Sequence, residues 1–274
     1  MGREELDRLG VEPKKSLGQN FMVEQAAIDA MVDAADIDPT DTVLEVGAGL
    51  GALTATLAER ARRVVAVEID QRLIPALRAR FAGQPHVELH LLDILEADPN
   101  HLLGDEPYKV TANVPYYITS AIIRHLLENT HPPTLMVITI QKEEADRITA
   151  KPGDMSLLAV SVQFFGTARV VRKIGPSSFY PQPRVTSAVL RIDPHPDGPP
   201  IPIEQVPDFF RVVKAGFSQP RKQLKNTLAS GLHTDTEPSS LRLQQAGIEP
   251  RRRPEKLSVA QWVRLYEAIH SHGA

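Results

Sequence analysis

Asn113, Pro115 and Tyr116 are the residues of this 274-residue chain whose types and spacing best suit chemistry, in the run Ala112-Asn113-Val114-Pro115-Tyr116-Tyr117. An amide side chain, a backbone carbonyl next to proline and an aromatic ring fall within four residues. That set suits a flat base carrying an exocyclic amine. The Asn113 side-chain oxygen and a carbonyl at Pro115 can each accept one N–H of such an amine. The Tyr116 ring can stack on the base, an interaction that contributes roughly 1–3 kcal/mol. The same residues would also serve as a strand end followed by a proline turn, so the surrounding elements must discriminate.

The elements before this run form a series of strand ends. Tyr108 to Ala112 is apolar and reads as a buried strand, which Pro115 must end. Upstream, Thr42 to Val46 reads as a strand, Gly47-Ala48-Gly49-Leu50-Gly51 as a turn, and Ala52 to Arg60 as a helix. Glycines at Gly47 and Gly49 let backbone approach a ligand closely, and the helix N-terminus offers free N–H groups. The spacing is GxGxG, whereas the dinucleotide fingerprint is GxGxxG. A second strand, Val64 to Glu68, closes on an acid 21 residues after Gly47. An acid there can take two ribose hydroxyls, and the neighbouring Asp70 suits a helix cap. A third strand, Val87 to Leu92, leads to Asp93, which would face the same crevice where an adenine ring would lie. Gly47, Glu68, Asp93 and Asn113 thus occupy four successive strand ends, where open α/β sheets gather ligands.

The remaining chain completes this plan. A basic loop, 13–22, feeds a helix over 23–35. After Asn113 come a helix over 120–128, a strand over 135–140, a charged segment over 141–147 and a buried helix over 155–165. Strands over 168–174 and 185–192 form a final hairpin. Its connection is held extended by Pro181 and Pro183 and presents Phe179 and Tyr180, one of which could cover the second face of a base. Asp193 to Pro200 is a proline-rich linker. Helices follow over 206–217, 222–230, 238–246 and 258–270. The expected domains are 1–196, carrying the sheet and the chemistry, and 197–274, all helical.

Composition excludes several function classes. With no cysteine there is no disulfide, thiol catalysis or Cys-ligated zinc. The nine histidines are scattered without ligand spacing, so no metal site is expected. No apolar run reaches the roughly 20 residues of a membrane span, and the charged N-terminus has no signal-peptide core; a cytoplasmic location is expected. The net charge of −3 hides an asymmetry: residues 211–274 hold 11 Lys and Arg against 5 Asp and Glu. Arg221, Lys222 and Lys225 gather at a helix start, where the dipole disfavours them, and Arg251, Arg252 and Arg253 form a second cluster. Cations so placed suggest an outside anion such as a phosphate backbone.

Taken together, these motifs resemble the bacterial 16S rRNA adenine N6-dimethyltransferases, the KsgA/RsmA family, from about Lys14 to the C-terminus. The family's N-terminal motif stands here as Lys15-Ser16-Leu17-Gly18-Gln19-Asn20-Phe21, and its cofactor loop as Glu45-Val46-Gly47-Ala48-Gly49-Leu50-Gly51. Its acids stand as Glu68 and Asp93, and its catalytic motif as Asn113-Val114-Pro115-Tyr116. Its late aromatic motif is Phe179-x-Pro181-x-Pro183-x-Val185, and its C-terminal motif runs from Phe217 to Asn226. Two positions depart from it: Val114, where Leu or Ile is usual, and Tyr117, where many relatives carry Asn, so Tyr117 is assigned no catalytic role.

The resemblance implies a class I methyltransferase fold, Rossmann-like with a mostly parallel seven-stranded sheet, plus a small helical C-terminal domain. It implies S-adenosylmethionine as cofactor. Asn20 and Met22 would close over it, Gly47 would contact its amino-acid end, Glu68 its ribose and Asp93 its adenine, with Gly49 also in the cofactor site and Asn113 touching cofactor and substrate. Tyr116 and Phe179 would sandwich the target base, and the basic C-terminal clusters would bind RNA. The implied partner is 16S rRNA in the small ribosomal subunit or its precursor, met by a monomer. The competing readings are a 23S rRNA methyltransferase of the macrolide-resistance type and a non-catalytic assembly factor. A nicotinamide dehydrogenase is disfavoured by the GxGxG spacing.

Overall fold

The computed structural model describes residues 2–270, which divide into two compact units. The first unit comprises residues up to Ala145 together with Ala168–Pro196. Its strands are β1 (Phe21–Met22), β2 (Thr42–Val46), β3 (Arg63–Glu68), β4 (Val87–Leu91), β5 (Tyr108–Ala112), β6 (Leu135–Gln141), β7 (Gly166–Ile174), β8 (Phe179–Tyr180) and β9 (Ser187–Pro194). Its helices are α1 (Gly2–Leu9), α2 (Gln25–Ala34), α3 (Ala52–Ala58), α4 (Ile74–Phe81), α5 (Pro99–Leu103) and α6 (Tyr116–Leu127), and α7 (Lys142–Ile148) runs across the division.

Seven strands form one sheet in the order β4-β3-β2-β5-β6-β9-β7. The first five are parallel, and β9 runs antiparallel to β6. Parallel strands covered on both faces need continuous apolar side chains, and the central strands supply them: Val43, Leu44, Val64, Val65, Val110, Met136, Val137 and Ile138 are all fully buried. The chain leaves β2 in one direction to build β3 and β4, then returns to place β5 on the other side of β2. The crevice at this switch point, beyond the carboxyl ends of β2 and β5, is where such sheets bind ligands. A separate two-stranded pair, Phe21 opposite Tyr180 and Met22 opposite Phe179, fixes the N-terminal loop to the β8 segment.

Two local differences from the sequence expectations matter for the site. The helix after Pro115 begins at Tyr116 rather than Ser120, with Pro115 (φ −55°) as its N-cap. Proline both ends the β5 ladder and suits a helix entrance, so Tyr116 and Tyr117 lie in the first helical turn and point about 100° apart. The charged segment after β6 is itself helical, as α7.

The second unit comprises Asp146–Thr167 and Asp197–Ala274, described here as far as His270. It holds α8 (Leu157–Gln163), α9 (Val206–Phe217), α10 (Leu224–Gly231), α11 (Thr236–Gln245) and α12 (Val259–His270). Residues 146–167, expected within 1–196, therefore group with the second unit. The reason is aromatic packing: Phe164 stacks on Phe209 with ring centroids 4.4 Å apart and meets Phe210 edge-on at 5.3 Å. All three rings are buried, so α8 and α9 share one core.

Candidate active site

Residues from four strand ends and the N-terminal loop line one cavity in the first unit. Gly47 and Gly49 follow β2, Glu68 ends β3, Asp93 follows β4 and Asn113 follows β5, while Asn20 and Met22 come from the loop. Pro115, Tyr117 and Ile118 complete the wall beside Asn113. Gly47 adopts φ +83°, and a Cβ there would lie 3.1 Å from the Asn113 carbonyl oxygen and 3.2 Å from Val114. Only glycine satisfies both the left-handed backbone and this close approach of the two strand ends.

Glu68 is almost entirely buried, and its two oxygens are oriented by backbone donors. The Gly49 N–H donates to Oε2 at 2.7 Å and the Asp70 N–H to Oε1 at 2.8 Å. Burial raises its pKa, and these two N–H groups oppose the rise. Each carboxylate oxygen keeps acceptor capacity toward the cavity. Asp93 Oδ1 accepts the Leu95 N–H at 3.0 Å, which fixes its carboxylate at the rim.

Asp70 does not cap a helix. The N-cap of α4 is Leu73, and the Asp70 carboxylate instead holds the turn before it by accepting the Arg72 N–H and guanidinium. It also accepts Gln19 Nε2 at 2.9 Å. Those hydrogen bonds, Arg72 first, hold the Asp70 carboxyl down to about 2 against the effect of burial. Arg72 Nη1 in turn donates to the Glu12 carbonyl at 3.1 Å. Asp70 and Arg72 thereby anchor the loop that carries Asn20 and Met22. Gln19 stands in the sequence only as part of the N-terminal motif and Arg72 carries no signal there, because only the folded loop brings them to Asp70.

The Asn113 amide is held at both ends. Its Nδ2 donates to the Asn20 carbonyl at 3.3 Å, and its Oδ1 accepts the Thr139 hydroxyl at 2.6 Å. Thr139 lies in the apolar run of β6 and carried no signal in the sequence beyond β propensity. Tyr116 is not part of the cavity wall, and its hydroxyl pairs with Ser187 Oγ at 2.6 Å. Burial raises its pKa, and the Ser187 hydrogen bond opposes the rise.

Three expected site residues are placed differently from their expected roles. The Pro115 carbonyl already accepts the Ile118 N–H at 3.2 Å and the Thr119 hydroxyl at 3.3 Å, because it begins α6. Among the described residues no donor reaches the preceding carbonyl, that of Val114. Phe179 is 2% exposed and belongs to the core, opposite Met22 in the β1–β8 pair. Neither Phe179 nor Tyr116 lines the cavity, whereas Tyr117, 68% exposed, does. The helical turn starting at Tyr116 explains this exchange of faces.

In the second unit the two basic clusters meet. The Leu224 N–H donates to the Arg252 carbonyl at 2.7 Å, and the Lys225 N–H to the Pro250 carbonyl at 3.3 Å. These bonds satisfy the first amides of α10 and set Arg251, Arg252 and Arg253 beside Arg221, Lys222 and Lys225. Among the described residues none of these six side chains forms an ion pair. Also among the described residues, no group of three or more potential ligands could hold a metal, and no helix is long and apolar enough to cross a membrane.

Comparison with known proteins adds to this geometry. Residues 10–271 match the family model described as ribosomal RNA adenine dimethylase. The chain is similar to the ribosomal RNA small subunit methyltransferase A of Dehalococcoides mccartyi strain CBDB1, 44% identical over 264 residues, covering 96% of this chain and 90% of that protein. It is likewise 40% identical to the protein of that name from Geobacillus kaustophilus, covering 97% of this chain and 94% of that one. Among solved structures, the 23S rRNA methyltransferase ErmE superposes with a TM-score of 0.72 at 29% identity, covering 91% of this chain and 99% of that one. A dimethyladenosine transferase from Plasmodium falciparum shares the fold, with a TM-score of 0.76 at 24% identity, covering 89% and 95%.

Proposed function

The chain belongs to the ribosomal RNA adenine dimethylase family, and from that premise we propose that it dimethylates the N6 amines of two adjacent adenosines in the 3′-terminal hairpin loop of 16S rRNA. It is an S-adenosylmethionine-dependent rRNA adenine dimethyltransferase. The substrate is the small ribosomal subunit or its precursor, and the modification serves small-subunit biogenesis. Identity of 44% to a small-subunit enzyme, against 29% to ErmE, favours the small over the large subunit. The observation that carries the reading is the amide of Asn113 at the switch-point cavity, beside Glu68 and Asp93.

The residues present fit the cofactor. Gly47 brings the end of β2 against Asn113 in the cavity wall, and Glu68 is a buried carboxylate whose oxygens are aimed by N–H groups and retain acceptor capacity. In this reading Glu68 holds the ribose hydroxyls, Asp93 the adenine amine, Gly47 and Gly49 the amino-acid end, and Asn20 and Met22 cover them. The cofactor supplies an electrophilic methyl group on a sulfonium.

The chain's own residues prepare the nucleophile. An adenine amine is a weak nucleophile because its lone pair is delocalised into the ring. Asn113 Oδ1 and the Val114 carbonyl, rather than that of Pro115, accept its two N–H groups and favour a tetrahedral nitrogen. Catalysis is then positioning plus electrostatics. No general base is required before attack, since the methylated amine is acidic and releases its proton readily. The target base must leave its stack to reach the pocket.

The six unpaired cations of the second unit contact the RNA backbone. Replacing Arg251, Arg252 and Arg253 together by alanine is expected to weaken small-subunit binding and to lower the slope of log K against log salt by about 2, at roughly 0.7–0.9 per phosphate contact. Filter binding across a salt series checks this; an unchanged slope would remove the cluster from the interface. The site of modification is tested by ribonuclease mapping of 16S rRNA from treated subunits. Two dimethylated neighbours in the 3′-terminal hairpin loop are expected, and modification confined to another region overturns the assignment.

A further inference from the structure

We propose that Thr139 is a positioning residue for methyl transfer, fixing which end of the Asn113 amide faces the target amine. This rests on the reading of Asn113 given above. The two ends of an amide have similar shapes and opposite hydrogen-bonding sense. An adenine amine presents two N–H groups, so it can be held only by the oxygen end. A reversed Asn113 would present N–H to N–H and repel the substrate.

Two contacts choose between the orientations. The Asn20 carbonyl, 3.3 Å from Nδ2, can only accept, so it requires the NH₂ end. The Thr139 hydroxyl, 2.6 Å from Oδ1, is the matching donor. Its other neighbour is the Ala112 carbonyl at 3.5 Å, a poor alternative for the proton. Thr139 is fully buried in β6, so no water competes for this donor. Its β-branched side chain has restricted rotamers there. Oδ1 keeps its second lone pair for the substrate.

Of the two contacts, the one from Asn20 comes from the N-terminal loop that Asp70 anchors. The one from Thr139 comes from a central strand of the sheet. Thr139 therefore fixes the amide from the sheet, and Asn20 adds a second contact from the loop. Nothing in the sequence distinguishes Thr139 from the apolar residues around it.

Thr139→Val keeps the shape and removes the donor, whereas Thr139→Ser keeps the hydroxyl. With unmodified small subunits and saturating cofactor, Thr139→Val is expected to lower the single-turnover methylation rate roughly tenfold, the loss of about one buried hydrogen bond. KM for subunits and Kd for S-adenosylhomocysteine should stay within about twofold, and Thr139→Ser should restore the rate. A second readout is independent of activity. The Asn113 side-chain amide protons, followed by NMR, should exchange with solvent about as slowly in Thr139→Ser as in the parent and markedly faster in Thr139→Val. Should the valine variant not accumulate as folded protein, Thr139→Ala against Thr139→Ser isolates the same hydroxyl. Unchanged rate and exchange without the hydroxyl would overturn the proposal, as would a rate loss that serine does not rescue. The parent enzyme is the control: if it fails to methylate, the functional reading fails, while the amide exchange still tests the positioning of Asn113.

Discussion

Asn113→Ala is expected to lower methyl transfer by roughly 10²–10³-fold, the magnitude seen when one preorganised polar group is removed from a reacting centre. The effect is on the chemical step. The Asn113 side chain supplies the acceptor for one amine N–H, and no neighbouring side chain can replace it: Thr139 already points its proton inward. Cofactor binding should survive in large part, because Glu68, Asp93 and the Gly47 turn remain. The substitution also orphans the Thr139 hydroxyl and the Asn20 carbonyl, and a lost partner for a buried polar group costs about 1–3 kcal/mol. Isothermal titration with S-adenosylhomocysteine and a methyl-transfer time course separate the two effects. A variant that methylates at the parent rate would contradict the role of Asn113 outright.

Glu45→Gln is expected to stabilise the protein at pH 8 far more than at pH 5. Glu45 is fully buried on β2, beneath the glycine turn and outside the cavity lining. Neither of its carboxylate oxygens completes a hydrogen bond, and Thr111, its register partner on β5, has a buried hydroxyl without one. Burial first, and the nearby Glu68 charge as well, push its pKa from 4.5 up to about 8, against the approach of Thr54. Between those two values the unfolded chain has lost the proton and the folded protein retains it. The folded state thus binds more protons, and stability falls as pH rises through the window, by on the order of 1 kcal/mol per pH unit. Above the folded pKa the decline ends. Glutamine carries no proton to lose, so its melting temperature should lack this component of the decline. At roughly 2–4 °C per kcal/mol for a protein of this size, the gap is readily measured. Melting curves of parent and variant that run parallel from pH 5 to 8 would show that Glu45 is not held neutral.

The strand ends are legible because each couples a short apolar run to a glycine, acid or amide that the run cannot absorb. The switch-point architecture follows from their order, and the structure has it: β2 between β3 and β5, with Gly47 against Asn113. What the sequence hid depends on direction rather than composition. Starting α6 at Tyr116 instead of Ser120 turns Tyr116 toward Ser187 and Tyr117 toward the cavity, and it commits the Pro115 carbonyl to the helix. Phe179 reads as a presented aromatic because prolines flank it, yet its pairing opposite Met22 buries it. Thr139 and Ser187 sit in β strands where a hydroxyl residue is unremarkable. Their partners, Asn113 and Tyr116, lie 26 and 71 residues away in sequence. The linker composition of 193–200 marks one division of the chain, while the aromatic core that draws 146–167 into the second unit needs Phe164 and Phe209 to meet in space.

The most direct test of the account is transfer of labelled methyl from S-adenosylmethionine to small subunits from a strain lacking this modification. Mature small subunits, large subunits and free RNA are run in parallel. The account predicts label recovered as N6,N6-dimethyladenosine from the unmodified small subunit alone. Label in large-subunit RNA, or no label with binding retained, would contradict it.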